Sequence, residues 1–217
     1  MRFRKLLVAA AGLSVLLLAM TLGAQTLADV ARESKQKNQS SSRRLWTNDD
    51  LRTGVPTVRL LRETANPPSL APYEGSRPAV IRAMLTLAGV EQGDLVFDIG
   101  SGDGRIAIMA AEQFKARGVG IELDETLVAV SRQNIQEKGL QDRVHIIHAN
   151  ALDVDLSPAD VVTLYLTTRG LETLRPHLER TLRPGTRVVC NTFEIPGWTP
   201  VSDAKEESWR IFLYRVR

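Results

Sequence analysis

The stretch Asp98-Ile-Gly-Ser-Gly-Asp-Gly104 decides how this chain folds. It closes the apolar run Leu95–Ile99, which predicts a buried strand followed by a tight turn. Three glycines allow the backbone to turn sharply and to approach a ligand closely: Gly100, Gly102 and Gly104. A dinucleotide site usually has the spacing G-x-G-x-x-G, and here Arg105 stands where its third glycine would be. The spacing therefore disfavours NAD(P) and favours a ligand without a pyrophosphate; a purely structural turn is the alternative.

Outward from this loop, short apolar runs alternate with segments of helical periodicity. Strands are predicted at Leu95–Ile99, Gly118–Glu122, Val144–His148, Asp160–Leu166, Thr186–Phe193 and Trp209–Val216. Helices are predicted from a Ser76 N-cap to Gly89, over residues 104–115, at Glu125–Lys138 and at Leu171–Leu182. The alternation predicts an α/β, Rossmann-like doubly wound sheet with helices on both faces. In such a sheet the ligand crevice lies beyond the carboxyl ends of the strands.

Two further polar residues follow predicted strands at that edge. Glu122 ends the second strand, 22 residues after Gly100, where a carboxylate can accept two hydrogen bonds from ribose hydroxyls. A capping or surface acid is the alternative interpretation. Asn150 follows the third strand, where its amide could bond an adenine edge, although asparagine is also a common turn former.

Charge and cysteine content exclude several classes of protein. Residues 63–217 carry 17 Lys and Arg against 21 Asp and Glu, so the net charge of +3 comes from the N-terminal region and no nucleic-acid partner is expected. The single cysteine, Cys190, rules out an internal disulfide and lies in an apolar strand, where a core position is expected. The histidines do not cluster, and no metal site is predicted.

The N-terminal region has the layout of a targeting segment. Basic residues precede Leu6–Leu22, an uncharged run of 17 residues that ends at Gly23-Ala24. Residues 1–24 are predicted to be a signal peptide or an uncleaved membrane anchor. Residues 25–72 are predicted to be a basic flexible tether, and residues 73–217 the folded domain. The domain is expected to be exported, periplasmic or membrane-anchored; since basic residues also follow the run, a cytoplasmic-facing domain is the alternative.

Three segments together resemble a known family. Val96–Ile106, Gly118–Leu123 and Val161–Leu166 resemble the class I S-adenosylmethionine (SAM) methyltransferases. Leu182–Val189 and Trp198 make residues 72–217 similar to small bacterial relatives of the mitochondrial lysine N-methyltransferases that modify ATP synthase.

The resemblance implies a seven-stranded sheet with an antiparallel last strand. It implies that the methionine part of SAM is held by Asp98 and the loop Gly100, Ser101, Gly102, Asp103 and Gly104. It further implies that Glu122 holds the ribose and that Tyr73–Pro78 folds over the cofactor. The chain also departs from the family: Asn150 replaces the usual Asp, and Asn191 and Thr192 stand where relatives often have His and Asp. The chain after Trp198 is short for two further strands.

Methyl transfer from a sulfonium is an in-line displacement that depends mainly on positioning. Tyr165 is the candidate catalytic residue, as an orienting group, and other candidates at the crevice mouth are Tyr73, Thr167, Asn191 and Glu194. The sequence therefore predicts a SAM-dependent methyltransferase, and the resemblance alone suggests a protein lysine as the acceptor. A membrane-tethered or exported non-catalytic binding domain with this fold is the alternative, and an NAD(P) oxidoreductase is disfavoured.

Overall fold

The computed structural model describes residues 58–62, 64, 65 and 67–217. The helices are α1 (Pro78–Leu87), α2 (Arg105–Phe114), α3 (Glu125–Glu137) and α4 (Thr168–Thr181). The strands are β1 (Leu95–Ile99), β2 (Arg117–Glu122), β3 (Val144–His148), β4 (Val161–Leu164), β5 (Arg187–Asn191), β6 (Ser202–Glu206) and β7 (Trp209–Arg215). The predicted alternation is confirmed. The Ser76 cap is not: the N-cap of α1 is Arg77, which makes no side-chain cap, and the missing N–H of Pro78 reduces the need for one.

The seven strands form one sheet in the order β3-β2-β1-β4-β5-β7-β6. Strands β1 to β5 are parallel, and β7 pairs antiparallel with β5. This confirms the doubly wound sheet and its antiparallel last strand. The order reverses at β1, so the loops after β1 and β4 diverge and leave a crevice between them.

The expectation that the chain after Trp198 is too short for two strands is wrong. β6 and β7 form a hairpin in which Ser202 pairs with Leu213 and Glu206 with Trp209, joined by only two residues. Positive φ at Glu207 (52°) closes this turn. β6 reads Ser-Asp-Ala-Lys-Glu and lies at the sheet edge with both faces partly exposed, so it carries no apolar pattern that would reveal a strand.

The core lies on both faces of the sheet and fixes where β1 points its side chains. All five residues of β1 are buried. Phe97 and Ile99 pack in the cluster that includes α4, whereas Val96 packs in the cluster that includes α1. Because strand side chains alternate between faces, Asp98 lies on the face of Val96, at the end of a wholly buried strand. The fold thereby carries one carboxylate into the interior at the switch point.

Several described residues of the predicted tether contact the domain, although more than half of those between 58 and 72 are exposed. Val58 is buried in the main core cluster, and Leu60 forms an isolated bridge with Val154. Asp153 accepts hydrogen bonds from Arg62 Nε (2.7 Å) and from the Thr64 backbone N–H (2.8 Å). One buried carboxylate and several apolar contacts thus hold Val58, Leu60, Arg62 and Thr64 against the domain, and the tether over residues 25–72 stays a prediction.

The predicted signal peptide or anchor, residues 1–24, and the first part of the tether lie outside the described residues. Within residues 58–62, 64, 65 and 67–217, no helix has both the length and the apolar character needed to cross a bilayer.

Candidate active site

A cavity of about 500 Å³ opens at the carboxyl ends of the parallel strands. Eight of the ten predicted site residues line it: Tyr73, Asp98, Gly100, Ser101, Asp103, Glu122, Asn150 and Tyr165. Gly102 and Gly104 lie in the same loop without lining the cavity. We call the part next to the loops after β1, β2 and β3 the β1–β3 half, and the part next to Tyr165, which follows β4, the β4–β5 half.

The glycine loop is fastened to the end of β2. The N–H groups of Gly100 and Ser101 donate to the carbonyl oxygen of Ile121 (2.9 and 3.2 Å). Gly102 has φ +56°, and a Cβ at this position would collide with the ring of Tyr73. Glycine is required here for both reasons, since L side chains rarely adopt this φ and the tyrosine ring occupies the space. The sequence predicted the turn but not the ring that lies on it.

Glu122 is largely buried and holds three backbone N–H groups. Its Oε2 accepts from Gly102 (2.8 Å), and its Oε1 accepts from Leu123 (2.8 Å) and Asp124 (2.9 Å). A carboxylate offers about four acceptor positions, so about one is left for a ligand hydroxyl. Glu122 therefore anchors the glycine loop, a role that the sequence did not indicate, and can accept one new hydrogen bond without rearrangement; its contact with a ribose stays a prediction.

Asp98 is almost completely buried and only half satisfied. Thr163 Oγ1 donates to its Oδ1 (2.7 Å), while Oδ2 has no hydrogen-bond partner in the described part of the chain. Desolvation by burial, with smaller contributions from Glu122 and Asp103, raises the pKa of Asp98 to about 7. The neighbouring Ser101 Oγ is likewise buried without a partner in that part of the chain. Two unsatisfied polar atoms at the cavity floor fit a ligand with hydrogen-bonding groups, such as an amino acid.

The side chain of Asn150 is bonded within the chain. It is buried, its Oδ1 accepts from the N–H of Leu152 (3.1 Å), and its Nδ2 donates to Asp153 Oδ2 (3.2 Å). Asn150 thus caps the short 3₁₀ turn Ala151–Asp153 while lining the cavity. The turn-forming interpretation describes its side-chain bonds, and contact with an adenine stays a prediction.

Arg105 lines the cavity and was missed as a site residue, since in the sequence it is visible only as an interruption of the glycine spacing. Its guanidinium donates to both oxygens of Asp103 (2.8 and 2.7 Å), to the carbonyl of Ser76 (3.0 Å) and to the Tyr73 hydroxyl (3.2 Å). The guanidinium of Arg105 can lie this close to the backbone of residue 75 because that residue is glycine. A Cβ there would lie 2.5 Å from Cζ of Arg105. The arginine therefore ties residues 73–76, the covering segment, to the glycine loop.

Tyr165 dominates the β4–β5 half. Its ring meets Trp209 edge-on at 5.9 Å, and its hydroxyl lies next to the carboxylate of Glu74 and the side chain of Thr192. Burial, followed by the contact with Glu74, raises the pKa of Tyr165 to about 12. Thr192 has φ 71°, a rare conformation for a β-branched residue and one that commonly occurs at functional sites.

The remaining candidates at the mouth do not line the cavity. Thr167 caps α4, accepting from the N–H of Gly170 (3.1 Å) and donating to the carbonyl of Leu70 (3.0 Å). Asn191 is buried at the end of β5, and Glu194 lies in the following turn. Cys190 is buried in β5, where desolvation raises the pKa of its thiol, as expected for a core residue.

Comparison with known proteins is consistent with this geometry. Residues 98–202 match the family model of the ANTKMT methyltransferase domain. A protein-lysine N-methyltransferase of Saccharolobus islandicus is 44% identical over 150 residues, which cover 67% of this chain and 93% of that protein. The adenine nucleotide translocase lysine N-methyltransferase of Mus musculus is 33% identical over 146 residues, covering 67% of this chain and 63% of that protein. The chain thus spans nearly all of the archaeal relative and somewhat less than two thirds of the mouse one.

A solved structure is also similar to this chain. It is described as an RNA methyltransferase from Salinibacter ruber in complex with S-adenosylhomocysteine, shares 40% identity, and has a TM-score of 0.65 over 66% of this chain and 94% of that chain. The sheet order and the cavity at its switch point define a SAM-dependent methyltransferase fold. The chain belongs to the class I SAM-dependent methyltransferases, in the same family as the ANTKMT methyltransferase domain. The non-catalytic alternative is not favoured.

Proposed function

We propose that this methyltransferase transfers the methyl group to the side-chain amine of a protein lysine. The observation that carries this proposal is the 44% identity to a protein-lysine N-methyltransferase across 93% of that relative's length. The open mouth of the cavity, which carries the exposed carboxylate of Glu74, is consistent with a cationic acceptor. Methylation of a protein by a methyltransferase of this size needs no further domain if the side chain alone enters the site.

The cofactor, when bound, supplies an electrophilic methyl group on a sulfonium. Asp98, Ser101 and Glu122 retain unused acceptor or donor capacity in the β1–β3 half and would hold its polar groups. The side chain of Arg105 ties the covering segment to the glycine loop at that half. These residues position the cofactor, and no covalent nucleophile of the protein is required.

The acceptor amine must be neutral to attack, whereas a free lysine has a pKa of about 10.4. Partial desolvation in the β4–β5 half favours the neutral form. Tyr165 is fixed by Trp209 and Thr192, so its hydroxyl offers an oriented hydrogen bond at the mouth. Because the mouth is open, the proton that the ammonium group loses passes to solvent.

The direct test is transfer of label from methyl-labelled SAM by the full chain to a cell extract that contains both protein and RNA. We expect label in protein, released as methyllysine after acid hydrolysis and resistant to ribonuclease. Label in RNA would contradict the proposal and would agree with the description of the Salinibacter structure. Binding of S-adenosylhomocysteine without any transfer would support a non-catalytic domain instead.

We also propose that residues 6–22 bring the protein to a membrane, where they are removed as a signal peptide or kept as an anchor. An uncharged run of 17 residues behind a basic N-terminus supports this. Membrane fractionation with N-terminal sequencing distinguishes cleavage from anchoring, and protease accessibility in intact cells determines the side on which the domain lies. A full-length chain found entirely in the soluble fraction would refute the proposal.

A further inference from the structure

We infer that Glu74 recognises the positive charge of the acceptor side chain and so selects lysine over uncharged residues; this inference rests on the proposed function. Glu74 carries no sequence pattern that marks it as a site residue. It belongs to the covering segment 73–76, lines the cavity and is exposed at its mouth. Its role follows from a comparison of all the carboxylates that surround the cavity.

Five carboxylates line the cavity within the described part of the chain: Glu74, Asp98, Asp103, Glu122 and Asp124. Arg105 forms a two-pronged ion pair with Asp103, and three backbone N–H groups occupy Glu122. Asp124 caps α3 by accepting from the N–H groups of Thr126 and Leu127 (2.8 and 3.2 Å). Asp103 and Glu122 thus use most of their acceptor capacity, and Asp124 has a structural role at the start of α3, in the β1–β3 half.

The two remaining carboxylates differ in place and exposure. Asp98 is buried at the cavity floor beside the glycine loop. Glu74 lies next to the Tyr165 hydroxyl, and no Lys or Arg in the described ranges forms an ion pair with it. Most of its acceptor positions are therefore available, and no basic side chain of those ranges is paired with its negative charge.

Topology places Glu74 over the half of the cavity that the glycine loop and Glu122 do not occupy. Tyr165 follows β4, and β4 lies on the opposite side of β1 from β2. Glu74 and Tyr165 are neighbours in the cavity lining, which places Glu74 at the β4–β5 half. Tyr165 is itself fixed edge-on against Trp209, so the carboxylate has a defined position although it is exposed.

This arrangement matches the chemistry of a lysine side chain. A carboxylate at the entrance attracts an ammonium group and gives no advantage to an uncharged or anionic group. The tyrosine ring beside it offers an apolar surface for the four-carbon stem. Glu74 therefore acts in acceptor binding, before the amine is deprotonated, and its loss should change affinity for the acceptor more than the rate of transfer.

Two blocked pentapeptides test the inference, one with lysine and one with norleucine at the centre between glycines. Norleucine keeps the stem and lacks the charge. We expect the full wild-type chain, saturated with S-adenosylhomocysteine, to bind the lysine peptide about tenfold more tightly in calorimetry, the size expected of a partly exposed charge-assisted hydrogen bond. Glu74→Gln should abolish this preference, raise KM for the lysine peptide about tenfold and change kcat less than about twofold.

Controls separate the inference from the proposed function. Glu172→Gln removes one exposed carboxylate from α4, away from the cavity, and should behave as wild type. Affinity of Glu74→Gln for S-adenosylhomocysteine should be unchanged, which also shows that the variant is folded. Retained lysine preference in Glu74→Gln, or equal binding of both peptides by a wild-type chain that forms methyllysine, overturns only the inference. Absence of methyllysine from wild-type reactions overturns the proposed function and the inference with it.

Discussion

The two halves of the cavity are built in different ways. The β1–β3 half is made largely of backbone groups and acids that follow consecutive strands, with Glu122 holding the glycine loop through hydrogen bonds of 2.8–2.9 Å. The β4–β5 half is lined by Glu74 and Tyr165, which are far apart in sequence, and Thr192 and Trp209 lie next to Tyr165 without lining the cavity. A local arrangement of strand ends and glycines suits a cofactor that is always the same, whereas side chains on remote loops can vary with the acceptor.

If the β1–β3 half binds the cofactor, Glu122→Ala should cause the largest loss of cofactor affinity. The change leaves three backbone N–H groups without their acceptor and frees the glycine loop. Because each buried hydrogen bond to a charged group is worth about 1.5–3 kcal/mol, affinity for S-adenosylhomocysteine should fall about a hundredfold or more, with a lower melting temperature. Calorimetry and thermal unfolding measure both. Glu125→Ala, at an exposed position in the first turn of α3, is the control. Affinity within threefold of wild type would contradict the role of Glu122 in the β1–β3 half.

The next prediction is that Asp98→Asn changes the pH dependence of the free energy of unfolding. Since the pKa of Asp98 is raised to about 7, the folded chain keeps a proton that the unfolded chain releases near pH 4. This group's contribution to stability is therefore full at low pH and is lost as pH rises from about 4 to about 7. Relative to wild type, Asp98→Asn should gain on the order of 3 kcal/mol in free energy of unfolding at pH 8. Denaturant titrations from pH 5 to pH 8 give this difference.

His145 and His177 change the free energy of unfolding with pH in the opposite direction to Asp98. Burial lowers the pKa of both, so their contributions rise as pH increases towards about 6.5. Both are present in the variant and cancel in the difference. In wild type, affinity for S-adenosylhomocysteine should also increase through pH 7, because an ionised Asp98 attracts the ammonium group of the ligand. A difference in stability that does not vary with pH would contradict the role given to Asp98.

A smaller effect is expected where the two halves meet, at Arg105. Arg105→Lys keeps the charge but loses the fork that joins Asp103, Ser76 and Tyr73. We expect about tenfold weaker binding of S-adenosylhomocysteine, mainly through faster dissociation measured by stopped flow, because the covering segment is released. Arg82→Lys on α1, where the arginine bonds Gln113 at the surface, is the matched control. An unchanged dissociation rate would mean that Arg105 does not hold the covering segment closed.

The smallest effect should be confined to the β4–β5 half. Thr192→Gly relieves a positive φ in a β-branched residue and should stabilise the protein by about 1 kcal/mol. It also removes the hydroxyl beside Tyr165, so KM for the acceptor should rise a few fold while affinity for S-adenosylhomocysteine stays the same. Lys115→Gly, at φ 60° after α2, should gain similar stability with no change in KM. A loss of cofactor affinity in Thr192→Gly would show that the two halves are not independent.

The two halves of the cavity also differ in how many of their residues could be predicted from the sequence. β1, the glycine loop and Glu122 were found because strand periodicity and glycine spacing act over a few residues and place these groups at one sheet edge. Arg105, Glu74 and β6 were missed. Arg105 and Glu74 carry no local pattern that distinguishes them from other surface charges, and β6 is a polar edge strand stabilised by its pairing with β7.

The amino-acid sequence by itself therefore determined the doubly wound sheet, the place of the crevice and most of the polar side chains that line its β1–β3 half. Only the tertiary structure decided that Arg62 and Thr64 are held by Asp153, that Arg105 ties the covering segment to the glycine loop, and that Glu74 meets Tyr165. The physical reason is the range of the interactions. Hydrophobic periodicity and backbone turns are encoded within one element, whereas a hydrogen bond between residues about ninety positions apart exists only after the core has brought them together.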